Sequence, residues 1–155
     1  MVFLSSLVLV IFSFISNYGN RVTKSKFLNF LTTFSITGYA IPGVILAVAF
    51  ITFIAWFDNT FIKAFEFNSI KRVFIGSIFG LVIVYFIRFY SLAYNGLKTG
   101  YERINRSIDE SSYLLGYSKI KTFLGIHVPY LKNSVFLIGI LITIEVIKEL
   151  PITLI

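Results

Sequence analysis

The chain has 155 residues, of which 57% are hydrophobic and only 14% are charged, and its mean hydropathy is +0.86. Soluble domains carry about 25% charged residues, so the composition excludes an ordinary soluble domain and indicates a membrane protein. The net charge of +7 comes from basic residues scattered between apolar runs rather than from one patch, and we expect no nucleic-acid partner. The absence of cysteine excludes disulfides, thiol catalysis and thiolate metal sites.

Four apolar segments approach the roughly 20 residues that a membrane-spanning helix needs. They are residues 2–16, which is short, 39–57, 73–94 and 133–150. The first segment lacks a basic n-region and a small-x-small cleavage site, so it predicts a retained span, or the remainder of one, rather than a signal peptide. No alternation of period two indicates barrel strands. The sequence therefore predicts an all-α, polytopic membrane protein with about four transmembrane helices, forming a single domain over residues 1–155.

The connections between these segments predict the orientation in the membrane. Residues 17–38 and 95–132 must lie on one side, because successive spans alternate in direction. Together they carry nine basic residues, whereas the connection at 58–72 carries three. The positive-inside rule assigns the nine to the cytoplasm and puts the N-terminus outside.

Proline and small residues suggest where the helices bend or approach each other. Pro42 and Gly43 lie near the start of the second segment, where a proline opens or kinks a helix. Gly43 with Ala47, and Gly76 with Gly80, have the small-xxx-small spacing of closely packed helices. They are equally compatible with the ordinary glycine content of apolar helices.

The longest connection, residues 95–132, is polar enough to form a structure outside the membrane. The run NGLKTG at 95–100 predicts the end of the third span. Apolar residues then recur at i, i+3 and i+4 over residues 101–115, which predicts an amphipathic helix with Asp109 on its polar face.

A glycine then separates this helix from a second one. Gly116 lies where a helix C-terminus adopts a left-handed conformation, and Ser118 can cap the next helix, which Pro129 is expected to end. The predicted helix, glycine turn and helix offer a compact knob to a soluble partner. The alternative is an amphipathic pair that lies on lipid headgroups over residues 100–129, as in a membrane scaffold protein.

The spacing of this connection resembles the EAA motif of permease subunits of binding-protein-dependent ABC importers. That motif reads E-A-A, three residues, G, nine residues and I-x-L-P. The matching residues are Glu110, Ser111, Ser112, Gly116, Ile126, Val128 and Pro129. Every gap agrees, and the departures are serine for both alanines and Val128 for leucine. We expect these departures to weaken packing against a partner without destroying the shape.

Three further stretches are similar to the ferric-iron branch of this family, and together they extend the resemblance over most of residues 36–155. They are GYAIPGVILAVAF, RFYSLAYNGLKTGYERINRSIDE and IEVIKELPITLI, the last being close to the family's KELPATLL. The resemblance implies that the EAA segment forms coupling helices, which dock into a groove on a cytoplasmic ATPase. Glu110 and Gly116 would carry that contact, and Pro129 would fix the return of the chain to the membrane.

The resemblance also implies a function and a set of partners. The chain would be a multi-pass subunit of a bacterial inner membrane, surrounded by lipid, and would not be an enzyme or bind a cofactor. Its partners would be an ABC ATPase that uses the ATP, an extracytoplasmic solute-binding protein and a second permease half or subunit. The cargo would be ferric iron, with thiamine, polyamines or phosphonates as alternatives. The family pattern continues beyond KELPITLI, so we expect a C-terminal-half fragment, either a split subunit or a non-functional remnant.

Charged residues in the last apolar segment suggest a translocation pathway. Glu145, Lys148 and Glu149 have i, i+3 and i+4 spacing and precede Pro151. Ionisable groups at membrane depth are costly and normally face a bundle interior or a wet cavity. The alternative is that Glu145 and Lys148 neutralise each other and only hold helices together.

The remaining polar residues predict no catalytic, metal-binding or nucleotide-binding site. Arg88 is expected to extend towards the membrane interface, and His127, the only histidine, is expected to be structural rather than a metal ligand. An intramembrane enzyme would need a catalytic group at membrane depth with a suitable partner, and only Glu145 lies there. The run TKS at 23–25 lacks the glycines of a phosphate-binding loop, so we expect no ATP site on this chain.

Overall fold

The computed structural model describes residues 2–23, 26–64 and 77–149, without the side chains of residues 28 and 61–64, and its elements there are all helical. The helices are α1 (Val2–Thr23), α2 (Lys26–Ile36), α3 (Gly43–Ala64), α4 (Ile78–Glu102), α5 (Arg106–Leu114), α6 (Lys119–Thr122) and α7 (Val128–Lys148). A 3₁₀ turn, Thr37–Ala40, follows α2, and a π-helical turn, Phe123–His127, joins α6 to α7. The predicted all-α class is confirmed.

The prediction of four transmembrane helices is also confirmed. In the described part of the chain, α1, α3, α4 and the continuous run from α6 to α7 are long and apolar enough to cross a membrane. The first span is longer than the predicted 2–16, because polar residues near its end are satisfied inside the bundle. The Nδ2 of Asn17 donates to the carbonyl of Ser13 at 2.9 Å and to that of Tyr94 at 3.1 Å.

The prediction that residues 95–100 end the third span is wrong. They lie inside α4, and two of them are glycines that face α7. A Cβ at Gly96 would overlap the side chain of Ile138, and one at Gly100 would lie 3.0 Å from Cδ2 of Leu131. The glycines therefore permit a close approach of two helices rather than a turn.

The three most closely packed long helices are α1, α4 and α7. The rings of Phe12 and Phe86 pack with centroids 5.3 Å apart, and further along both helices Arg21 contacts Tyr101, so α1 and α4 run parallel. The glycine contacts described above pair early residues of α7 with late residues of α4, so α7 is antiparallel to both. As the alternation of spans predicted, the start of the 17–38 connection meets the 95–132 connection at one end of the bundle, where Arg21 contacts Tyr101 and Asp109. The connection then runs back along α4, and Gly38 packs against Ile87.

A break in the helix precedes the second span. Ile41 is extended, with φ −80° and ψ 127°, and α3 begins at Gly43 directly after Pro42. The predicted opening at Pro42 is confirmed, and its cause is the steric restriction that a proline imposes on the preceding residue. Helix α2 lies in the predicted connection at 17–38. With 11 residues it is too short for a span, so the hydropathy pattern did not predict it.

Candidate functional site

Local sequence signals build a helix–turn–helix, residues 105–127, at the end of the bundle where α4 stops. The side chain of Asn105 caps α5 by accepting a hydrogen bond from the backbone N–H of Ser107 at 3.2 Å. Gly116 has φ +82°, and its N–H donates to the carbonyl of Tyr113 while that of Tyr117 donates to Ser112. This is the Schellman pattern of a helix C-terminus. The predicted glycine turn is confirmed.

The second helix of this unit begins as predicted but does not end as predicted. Ser118 caps α6 by accepting from the N–H of Lys121 at 3.3 Å. Pro129 was expected to end the helix, yet it lies in the first turn of α7, where a missing N–H costs little. In the preceding π-helical turn the N–H of Val128 donates to the carbonyl of Phe123. The hydrogen bond that closes this turn therefore comes from Val128, and the missing N–H of the proline does not interrupt it.

A buried ion-pair network attaches the helix–turn–helix to the bundle. Nε of Arg21 lies 2.6 Å from Oδ2 of Asp109, and Nε2 of His127 lies 2.8 Å from Oδ1 of the same carboxylate. The Arg21 and Asp109 side chains are each 11% exposed, and that of His127 is fully buried. Asp109 lies off the apolar positions of its helix, as the spacing predicted, but it is buried, because its carboxylate pairs with an arginine from a distant helix.

Arg21 also holds the end of α4. Its two terminal nitrogens donate to the carbonyls of Tyr101 at 3.0 Å, Ile104 at 2.8 Å and Asn105 at 3.1 Å. A cation next to the free carbonyls of a helix C-terminus is favourable. One guanidinium therefore joins α1, the end of α4 and the start of α5.

Two tyrosines enclose the histidine of the network. The Tyr101 ring stacks on that of His127 with centroids 5.5 Å apart, and the Tyr18 ring meets it edge-on at 5.0 Å. The Tyr18 hydroxyl donates to the carbonyl of Lys119 at 2.6 Å. As a result, α1 contacts both helices of the helix–turn–helix. His127 is a hydrogen-bonded part of this packing, which agrees with its expected structural role.

The seven residues that match the EAA motif divide between the surface and the interior. Glu110, Ser111, Gly116, Val128 and Pro129 are exposed, and Ile126 is half-buried. Ser112 is 4% exposed, and its hydroxyl lies 2.6 Å from that of Thr122. A serine is tolerated at this alanine position because a threonine on the facing helix satisfies its hydroxyl.

The outer end of the helix–turn–helix carries large apolar side chains that nothing in the described chain covers. These side chains, called the apolar tip below, belong to Leu114, Leu115, Tyr117, Ile120 and Leu124, and Leu114 is 89% exposed. They lie at the end of α5, around the Gly116 turn and at the start of the α6–α7 run. Large apolar side chains exposed together mark interaction sites.

The predicted pathway residues have different partners. Lys148 Nζ lies 3.4 Å from Oε1 of Glu145, as in the alternative of a self-neutralising pair. Glu149 directly follows the last residue of α7, and its carboxylate lies towards α4, 3.9 Å from Nε of Arg88. Pro151 lies outside the described residues.

Arg88 does not extend to the membrane interface, and that prediction is wrong. Its Nη1 donates to the carbonyl of Tyr39 at 3.0 Å and to that of Ile41. The break between α2 and α3 leaves these carbonyls without helical partners, and the guanidinium satisfies them inside the protein.

Sequence reasoning missed Arg21 and Asp109 and gave His127 no partner. The available signal was Arg21, an arginine shortly after the first apolar segment in a connection that contains no acidic residue. Among the described residues, no group of three or more His, Cys, Asp or Glu side chains could hold a metal ion.

Comparison with known proteins identifies the family. The family model described as "Binding-protein-dependent transport system inner membrane component" matches residues 4–155. Neither curated proteins nor solved structures give a match. The match covers nearly the whole chain, and the four long apolar helices agree with an inner-membrane component. The chain belongs to the family of inner-membrane permease components of binding-protein-dependent transport systems.

Proposed function

We propose that the chain is the transmembrane subunit of an ABC importer and that its helix–turn–helix couples the spans to a separate cytoplasmic ATPase. The observation that carries this proposal is the apolar tip. Leu115 and Ile120 are 77% and 71% exposed on either side of the Gly116 turn, and a soluble partner with an apolar groove would bury them. Burying a leucine or isoleucine side chain contributes about 1.5–3 kcal/mol, enough for a few such residues to hold a partner.

The network beneath the tip suits a coupling role. A groove that closes on the tip pushes α5 and α6, and the Arg21–Asp109–His127 contacts pass this displacement to other helices. Arg21 belongs to α1, and His127 belongs to the turn that continues into α7. Because the network is buried and several bonds hold Arg21, the unit moves with the spans rather than bending on its own. ATP is hydrolysed on the partner, and this chain supplies no catalytic group.

The charge distribution supports an orientation with the helix–turn–helix in the cytoplasm. The two connections at that end, 17–38 and 95–132, carry the larger share of the basic residues. An extracytoplasmic binding protein would then deliver the solute at the opposite end of the bundle. A second permease half or subunit would complete the pathway.

We assign ferric iron as the cargo. The support is the resemblance of residues 38–50, 88–110 and 144–155 to the ferric-iron branch. Cells that express the complete transporter should accumulate radiolabelled ferric iron, and excess thiamine, polyamine or phosphonate should not compete. Uptake of one of those solutes without iron would refute the assignment of the cargo alone.

Co-purification tests the coupling role. Wild-type chain in mild detergent should retain a co-expressed ATPase subunit, whereas Gly116→Pro and Glu110→Lys should lose it, since both alter the turn or its charged flank. Glu102→Lys is the matched control, because it makes the same charge change at an exposed position at the end of α4. Equal retention by all four chains would refute the docking role and favour a helix–turn–helix that rests on lipid.

A further inference from the structure

An ion pair lies near the middle of α4, where charged side chains are rare. Arg88 is ten residues from the first residue of α4 and fourteen from the last, or about 15 Å and about 21 Å along the axis. Its Nε lies 3.9 Å from Oε1 of Glu149 at the end of α7, and each side chain is 17% exposed. An ionisable pair at this depth is costly to bury and usually has a functional reason.

The guanidinium also contacts the broken backbone between α2 and α3. It donates to the carbonyls of Tyr39 and Ile41, and it lies over the Tyr39 ring, 5.5 Å from the centroid. Tyr39 is in the 3₁₀ turn and Ile41 is the extended residue after it. Arg88 therefore fixes the break to α4 by two hydrogen bonds and a cation–π contact.

Glu149 closes the cluster from the other side. Its carboxylate occupies the space into which a Cβ at Gly43 would project, and Gly43 is the first residue of α3. The free N–H groups of a helix's first turn favour negative charge. Gly43 is therefore required here for room beside a carboxylate, and the ion pair joins the 3₁₀ turn, α3, α4 and the end of α7.

We propose that Arg88 and Glu149 form an ion-pair latch, which holds the α2–α3 break against α4 and α7 and opens during the transport cycle. The proposal rests on the proposed function, because it names the residues that restrain the spans the ATPase would move. The two parts of the cluster differ in strength. The carbonyls accept hydrogen bonds from Nη1, whereas the 3.9 Å approach of Nε to Glu149 exceeds hydrogen-bond distance. Movement of the end of α7 away from α3 breaks the contact with Glu149 first.

The absence of native cysteine allows a direct test of the latch. Leu46→Cys places a single thiol in the first turn of α3, at a position that is 8% exposed. In membranes that contain the full chain, Glu149→Gln should raise the initial rate of labelling by a water-soluble maleimide about fivefold to tenfold, as expected for loss of an ion pair intermediate between an exposed and a fully buried one. Gly43→Ala should act in the same direction without removing any charge, because its Cβ displaces the carboxylate.

A matched control and a conservative variant show whether a change in the labelling rate comes from the latch. Glu102→Gln removes a carboxylate from an exposed pair with Lys98 on the same helix and should leave the labelling rate unchanged. Arg88→Lys keeps the charge but cannot bind two carbonyls and a carboxylate in one plane, so labelling should rise. Labelling at the wild-type rate in Glu149→Gln, Gly43→Ala and Arg88→Lys would overturn the latch.

A second readout separates a latch from a contact that only stabilises the fold. In a reconstituted complex with the co-purified ATPase subunit, Glu149→Gln should raise the ATPase rate without binding protein and lower its stimulation by binding protein. A purely structural contact would reduce the yield of complex and leave that stimulation unchanged, which would overturn the proposal. If the wild-type chain retains no ATPase subunit, the proposed function fails, while the labelling result still decides whether the latch exists.

Discussion

Replacement of Asp109 by alanine should release the helix–turn–helix from the bundle. The change removes the carboxylate that contacts Arg21 at 2.6 Å and His127 at 2.8 Å. Nδ1 of His127 has no hydrogen-bond partner in the described structure, so the ring would lose the one hydrogen bond described for it. Breaking a buried ion pair from one side costs about 3–5 kcal/mol. Arg21 keeps its bonds to backbone carbonyls, so we expect the lower end, about 3 kcal/mol.

Limited trypsin digestion measures the local unfolding of the helix–turn–helix directly. Lys119 and Lys121 are exposed but helical, so cleavage after them requires local unfolding, and its rate follows the population of the open form. A loss of about 3 kcal/mol corresponds to a rise of about 100-fold in that population. Asp109→Asn retains an oxygen that accepts one hydrogen bond and should raise cleavage about tenfold.

The neighbouring carboxylate provides the control. Glu110 is exposed, so Glu110→Gln should be cleaved at the wild-type rate. Cleavage of Asp109→Ala at the wild-type rate would refute the reasoning, because it would mean that the ion pair adds nothing to the attachment of α5.

Three further substitutions test the packing that positions the site. Gly100→Leu should separate α4 from α7 and cost about 2 kcal/mol, seen as a lower midpoint of heat-induced aggregation in detergent. Gly139→Leu, where a Cβ meets nothing within 4 Å, should leave that midpoint within error, and equal midpoints would argue against the close approach. Gly116→Ala should destabilise the turn by about 1 kcal/mol through backbone strain, and Gly116→Asn should destabilise it less. Equal rates of hydrogen exchange in α5 for these two variants and the wild type would contradict this. Thr122→Val should cost about 1–2 kcal/mol, because it leaves the buried Ser112 hydroxyl unpaired, and adding Ser112→Ala should recover most of the loss in a double-mutant cycle of thermal stability. Additive losses would show that the hydroxyls are not coupled.

The features that the sequence predicted correctly depend on neighbouring residues. The four spans follow from local hydropathy, and the break follows from Pro42, which restricts the residue before it. The turn at Gly116 follows from the conformational freedom of glycine after an amphipathic helix. In each case a short window contains the whole physical cause.

The features that the sequence did not reveal depend on residues far apart in the chain. Asp109 looks like a solvent-facing carboxylate on an amphipathic helix until the fold brings Arg21, 88 residues away, against it. Gly96 looks like part of a turn until α7 packs over it. Pro129 looks like the end of a helix unless the preceding π-helical turn is known. These are tertiary effects, and no local propensity contains them.

The most direct test of the central claim is a photo-crosslink from the apolar tip in intact cells. A photoreactive phenylalanine analogue at position 115, with the ATPase subunit co-expressed, should give a product with the combined mass of the two chains. The same analogue at position 136, which is exposed on α7 within a span, should not give that product. Crosslinks from position 115 to lipid alone, in cells where the ATPase subunit is present, would contradict the account.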